Sequence, residues 1–226
     1  MSRFVPAILL AAVLMLLPAL PLAARNGHPD LFESVRALSW TSATDNLRYN
    51  HCTTFPIGRN RWVTAAHCVM KYDDEGEMTD VVDLSHDYQA GTIPLSPTFI
   101  DLTRDLAGMA AKQDWLRPVF KLSSRVPEAG DEISIFGFPL GYSEPHYFHG
   151  YIAAPYHSFA EGDPFYTSFD MEGCGGNSGS PVVDSDNHLI SVATYAIRGP
   201  FDPCSHLTGG VSYGNLKNFL QRFPAR

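Results

Sequence analysis

The sequence predicts an all-β protein closed by one C-terminal helix, and three observations carry that reading. Apolar runs of strand length recur along the chain: "RWVTAA" (61–66), "DVVDL" (80–84), "LRPVFKL" (116–122), "DEISIFGFP" (131–139), "SPVVD" (180–184) and "HLISVATYAI" (188–197). Turn clusters punctuate them at "DDEGE" (73–77), "PEAGD" (127–131) and "DSDN" (184–187). Short strands separated by Gly, Pro and Asp turns build a sandwich or barrel rather than βαβ units. The composition agrees, since 18 Gly, 17 Pro, 14 Phe and 10 Tyr in 226 residues favour tight turns and pleated surfaces over long helices.

Helical periodicity is confined to "GNLKNFLQRF", where Leu216, Phe219, Leu220 and Phe223 fall at i, i+3, i+4 and i+7 behind Asn215 as N-cap. No internal repeat or low-complexity tract interrupts the chain. The division predicted is two β-subdomains meeting near residues 112–117. A charged fraction of 18% against 45% hydrophobic residues is that of a globular chain, long enough to bury a core. The net charge of −8 argues against nucleic acid as a partner, because phosphate binding needs a basic face.

The N-terminus reads as a secretory signal peptide over 1–24. Arg3 precedes an apolar core from Ala7 to Leu17, and "PLAA" supplies small residues before a cut after Ala24. A membrane anchor is the competing reading of the apolar run from Phe4 to Ala24, but Pro18 and Pro21 interrupt its second half. Cleavage would leave no stable membrane span, and the protein is expected to be secreted or periplasmic. Export makes disulfides the natural use of the four cysteines. Three pairings are open to Cys52, Cys68, Cys174 and Cys204; proximity in sequence favours Cys52–Cys68 and Cys174–Cys204. No C-x-x-C appears and the histidine spacings do not suit structural zinc, so neither a metal nor a cofactor is expected.

The chemistry concentrates in "GCGGNSGSP" (173–181), a serine fenced by four glycines. Glycine costs conformational entropy on folding, so such a cluster marks a sharp turn or a close backbone approach. A serine hydroxyl attacks only when a base takes its proton and a third group orients that base. His67 in "WVTAAHC" and Asp105 in "TRDLAGM" are the matching histidine and acid; Asp101 and Asp83 are the alternatives for the acid.

With "TAAHC", "RDLA" and "GGNSGSP" in the order His, Asp, Ser, the chain resembles the chymotrypsin-like (trypsin-fold) serine peptidases, over about residues 36–224. "ISIFGFP" resembles the first strand of that family's second barrel, and "GGVSYGNLKNFLQRF" its closing strand and terminal helix. The resemblance implies two six-stranded Greek-key barrels, 25–115 with His67 and Asp105 and 116–226 with Ser178, and an active site in the cleft between them. It implies His67, Asp105 and Ser178 as the catalytic triad and the backbone N–H groups of Gly176 and Ser178 as the oxyanion hole. It also implies a disulfide from Cys52 to Cys68 bracketing the histidine, and one from Cys174 to Cys204 across the specificity pocket. Glu172, six residues before Ser178, takes the position at the base of that pocket and would favour Lys or Arg before the cut. Thr194, Tyr195 and Ala196 take the substrate-binding edge.

The function implied is that of an exported serine endopeptidase acting on protein or peptide substrates as a monomer. The alternative is a catalytically silent homologue used for binding. Asn177 stands where many relatives carry the aspartate that pairs with a newly released N-terminus, so that activation switch is not expected. "GGNSGSP" instead resembles the bacterial exported branch that includes glutamyl endopeptidases, although Ala193 stands where those enzymes carry histidine. The acidic "YDDEGEMTD" (72–80) reads as a solvated turn rather than a calcium loop, and "HYFH" (146–149) as a packed aromatic loop.

Overall fold

The structure, a computed structural model, describes residues 29–41, 47–158, 166–197 and 204–224; the leader predicted over 1–24 lies outside them. The first half contributes β1 (Arg36–Thr41), β2 (Arg48–Pro56), β3 (Arg61–Thr64), β4 (Met70–Tyr72), β5 (Met78–Val82), β6 (Asp87–Ala90), β7 (Ile93–Asp101) and β8 (Leu106–Ala111). The second contributes β9 (Glu132–Gly137), β10 (His146–His157), β11 (Tyr166–Cys174), β12 (Pro181–Asp184), β13 (Leu189–Ala196) and β14 (Cys204–Val211). A one-turn helix, α1 (Pro29–Phe32), precedes the strands, and α2 (Tyr213–Arg222) follows them.

Two closed antiparallel barrels result, ordered β1-β2-β3-β8-β7-β6 and β10-β11-β14-β13-β12-β9. Each uses the same connectivity: the third strand is followed by one that pairs beside the first, and the last strand returns beside the third, a Greek-key path. β4 and β5 form a separate hairpin whose acidic turn, 73–77, is exposed, with Asp73 Oδ1 accepting from the Glu77 N–H.

The continuous apolar runs are explained by burial on both strand faces. Successive residues of a strand point to opposite faces. In β3, Trp62 fills the first barrel while its neighbour Val63 faces the seam between barrels; in β12, Val182 fills the second barrel and Val183 faces the seam. Phe55, Phe120, Phe136, Phe138 and Leu189 complete that seam. The "HYFH" segment is strand rather than loop, because it pairs along β9 from His146 against Gly137 to Tyr151 against Glu132. Conversely, "LRPVFKL" is no strand but the crossing between barrels. Pro118 has no N–H to donate, and the segment is pinned at single points, Phe120 N–H to Pro56 O (3.0 Å) and Leu189 N–H to Lys121 O (2.7 Å).

α2 belongs to the second half of the chain but packs on the first barrel. Phe219 is fully buried with its ring 5.1 Å from Phe99 of β7, and Phe223 stacks on Phe99 at 5.9 Å. Gly108 of β8 leaves the room, since a Cβ there would lie 2.7 Å from the Phe223 ring. Arg61 donates to the Phe223 carbonyl at 2.7 Å, and Arg104 Nε to Asn215 Oδ1 at 3.2 Å. Asn215 therefore sits in the first turn rather than capping it; the N-cap position falls on Ser212.

A second link between barrels converges on Thr53, fully buried in β2. Its N–H donates to Ser178 O (2.8 Å), its hydroxyl donates to Gly176 O (2.9 Å) and accepts from the Phe138 N–H (3.0 Å), and its carbonyl accepts from the Thr64 hydroxyl (2.7 Å). Phe219→Ala is expected to lower the unfolding free energy by about 3–5 kcal/mol, read by denaturant titration; a loss under about 1 kcal/mol would contradict the docking of α2 on β7. Thr53→Val keeps the shape but leaves two buried backbone groups unpaired. It is expected to cost about 1–3 kcal/mol and to speed amide exchange around residues 175–179; an unchanged midpoint and exchange pattern would contradict the link.

Candidate active site

His67 lies in the 3-10 turn Ala66–Cys68 that follows β3. Ala65 and Ala66 are fully buried, so small side chains let the turn settle against the barrel, and Cys68 ties it to β2 through the Cys52–Cys68 disulfide. Asp105 follows another 3-10 turn, Leu102–Arg104, in the left-handed conformation (φ 51°, ψ 47°) that Asp tolerates better than most residues. That turn aims the carboxylate at the histidine. Asp105 Oδ2 accepts from His67 Nδ1 at 2.7 Å and Oδ1 accepts from the His67 backbone N–H at 2.9 Å. Two bonds to one residue fix both the tautomer and the ring orientation, leaving Nε2 as the ring's other nitrogen.

The other two acids are spent elsewhere. Asp101 pairs with Arg104 (2.7 Å) and lies 3.5 Å from Arg222, and Asp83 pairs with His86 (3.2 Å). Tyr72, which the sequence did not single out, donates its hydroxyl to the His67 carbonyl at 3.1 Å. Its phenol is pushed up, mainly by burial and then by the Asp105 charge. With Trp40, His86 and Tyr88 it lines a hollow of about 260 Å³ beside His67.

Ser178 lies in the loop between β11 and β12. The loop is held by Asn177 N–H to Cys174 O (3.2 Å), Ser180 N–H to Asn177 O (3.0 Å) and Gly179 N–H to Ala193 O (2.7 Å). Ser178 O lies 3.9 Å from Cys68 Sγ, which brings the serine beside the residue that follows His67. The glycines earn their places sterically. Gly179 (φ +83°) would drive a Cβ to 2.2 Å from both Thr53 O and Thr64 Oγ1, and Gly176 (φ +94°) to 2.3 Å from Phe138 O. Among the described residues no acceptor takes the N–H of Gly176 or Ser178, while the neighbouring amides of Asn177, Gly179 and Ser180 are all engaged. Asn177 is buried, and its side-chain amide finds no hydrogen-bond partner among the described residues.

Behind Ser178 a pocket of about 40 Å³ opens between β11, β13 and β14. Thr194, Tyr195 and Ala196 line it, together with Gly173 and Thr208. Tyr195 is held through its hydroxyl, 3.1 Å from Ser168 Oγ and 3.3 Å from His157 Nε2. Cys174 pairs with Cys204 across β11 and β14, forming the second disulfide. Glu172 does not line the pocket, contrary to the expectation from its position in the motif. Along β11 Phe169, Met171 and Gly173 are buried while Asp170 and Glu172 are exposed, with a register shift between Asp170 and Gly173, and the Glu172 carboxylate lies within 4.8 Å of the Cys174 and Cys204 sulfurs. Thr208, missed in the sequence, stands at the pocket instead.

Carboxylate and imidazole groups of Asp184, Asp186 and His188 also lie close together, on the β12–β13 turn. Asp184 is already used there by the Ser123 hydroxyl (2.7 Å) and by the backbone N–H groups of Asp186 and His188.

Comparison with known proteins gives the same architecture. The trypsin-like peptidase domain matches residues 52–192, from the first disulfide cysteine into β13. The active form of the Rv3671c protease from M. tuberculosis superposes with a TM-score of 0.67, at 17% identity, over 88% of this chain and 84% of that one. A serine-to-alanine mutant of that protease in its inactive form gives a TM-score of 0.63, at 17% identity, over 88% and 92%. No curated protein matches by sequence. At this identity the likeness is one of fold. The family match covers well over half of the chain, and with the two barrels it establishes that this protein belongs to the trypsin-like peptidase domain family.

Proposed function

We propose that the protein is an exported serine endopeptidase in which Ser178 is the nucleophile, His67 the general base and Asp105 the group that orients it. The observation that carries the reading is the doubly bonded His67–Asp105 pair, with the adjoining Cys68 Sγ 3.9 Å from the carbonyl of Ser178, in a loop whose Gly176 and Ser178 amides have no acceptor among the described residues. His67 Nε2 takes the Ser178 hydroxyl proton as Oγ attacks the scissile carbonyl, and Asp105 stabilises the imidazolium without itself accepting the proton. The tetrahedral oxyanion is met by the N–H groups of Gly176 and Ser178, each such donor being worth about 10²–10³ in kcat. His67 then returns the proton to the departing amine, leaving an acyl group on Ser178. Water, activated by the same histidine, releases the acid.

Two disulfides support export, because cytosolic thiol pools keep cysteines reduced. The leader-like N-terminus and "GGNSGSP" support the bacterial exported branch and a secreted or periplasmic site. Among the described residues no helix is long and apolar enough to cross a membrane. Glu172 is exposed and outside the pocket lining, and so lends no support to a Lys or Arg preference.

Ser178→Ala is expected to abolish peptide hydrolysis while leaving the unfolding midpoint in place, and Asp105→Asn to lower kcat by about 10⁴-fold by presenting the wrong tautomer. Steady-state kinetics on a peptide amide check both. Hydrolysis by Ser178→Ala at the parent rate would remove Ser178 as nucleophile.

A further inference from the structure

We infer that the pocket behind Ser178 accepts a small, uncharged side chain before the cut, such as alanine, serine, cysteine, threonine or valine, with Thr208 setting its depth. The inference rests on the serine peptidase reading and names the substrate class of that same site.

Three observations converge. The first is size. The pocket holds about 40 Å³, whereas a cavity that admits a benzene ring measures about 150 Å³. Side chains of one to three heavy atoms fit, and an aromatic ring or the long stem of Lys or Arg does not.

The second is the cause of that size. Thr208 of β14 lies against Gly173 of β11, so closely that a Cβ on Gly173 would stand 2.4 Å from Thr208 Cγ2. Thr208 is buried, and its hydroxyl is directed at the Met171 carbonyl (3.4 Å), which turns the methyl toward Gly173. The methyl therefore fills space that Gly173 leaves open. Ala196, paired with Thr208 across β13 and β14, adds a methyl to the same wall.

The third is charge. Among the described residues no Asp, Glu, Lys, Arg or His lines the pocket; its walls are Ile135, Ala193, Thr194, Tyr195 and the Cys174 disulfide besides the residues already named. The nearest acid by sequence, Glu172, is exposed and lies beside the Cys174–Cys204 disulfide without lining the pocket. A cationic or anionic side chain would lose its hydration and gain no charged partner from the described lining residues. Thr194, in contrast, brings a buried hydroxyl with no partner among the described residues, which suits a neutral substrate group.

The test is a panel of peptidyl aryl phosphonates differing only in the residue at the reacting phosphorus (alanine, valine, phenylalanine, lysine and glutamate analogues). Inactivation rates are read by loss of free enzyme and by mass mapping of the adduct. The alanine and valine analogues are expected to label Ser178 at least about tenfold faster than the phenylalanine or lysine analogue, the scale on which a pocket discriminates by size. Thr208→Gly is expected to shift the ratio toward phenylalanine by tenfold or more. Thr208→Ser, which keeps the hydroxyl and removes only the methyl, should shift it in the same direction by less, and serves should the glycine variant fail to fold. Glu172→Gln should leave the ranking unchanged. Labelling of Ser178 that is fastest with lysine or phenylalanine, or a ranking indifferent to Thr208, would overturn the inference while leaving the peptidase reading intact. Failure of every analogue to label Ser178 would instead defeat that reading, and this inference with it.

Discussion

The four hydrogen bonds of Thr53 are the constraint on which the rest of the site depends. The residue sits between Cys52, whose disulfide fixes the turn carrying His67, and the nucleophile loop, whose Gly176 and Ser178 carbonyls it holds. One buried threonine of the first barrel thus sets where the loop of the second barrel stands. Directed bonds do this better than apolar packing alone, because a seam of Phe and Leu side chains is indifferent to small sliding while a hydrogen bond weakens steeply with angle. The same closeness explains the glycine requirement at position 179, where any side chain would strike Thr53 and Thr64.

The remaining elements act as supports for that arrangement. α2 crosses from the second half of the chain to the first barrel, so the two barrels are clasped by the C-terminus as well as joined at the seam. The left-handed backbone at Asp105 and the 3-10 turn at His67 are each short local devices. They work because the disulfide and the buried start of β8 hold their ends. Gly173 and Thr208 show the same economy at the pocket: one side chain is absent so that another can fill the space.

Much of this was legible in the sequence, and the exceptions have physical causes. The barrels' central strands announced themselves because burial on two faces makes them continuously apolar. β10 did not, since only two of its residues are buried and it mixes histidines with aromatic residues in no clean alternation. The segment 116–122 mimicked a strand in composition, yet its apolar side chains serve the seam as it crosses between barrels. The pairing of Asp105 with His67 agrees with what the family resemblance of "TAAHC" and "RDLA" implies. The disulfides followed from chain proximity. Glu172 was misplaced because motif distance from Ser178 carries no information on burial; Glu172 is exposed beside the Cys174–Cys204 disulfide and does not line the pocket. Thr53 and Thr208 carry no sequence signal at all, as each acts through a partner more than thirty residues away.

The central claim, that these supports present Ser178 as a nucleophile activated by His67, is tested most directly by rapid-mixing kinetics with an activated aryl ester and mass mapping of the quenched protein. The account predicts a stoichiometric burst of phenolate, an acyl group on Ser178 and loss of both in His67→Ala. Ester turnover without a burst, or an acyl group on another residue, would contradict it.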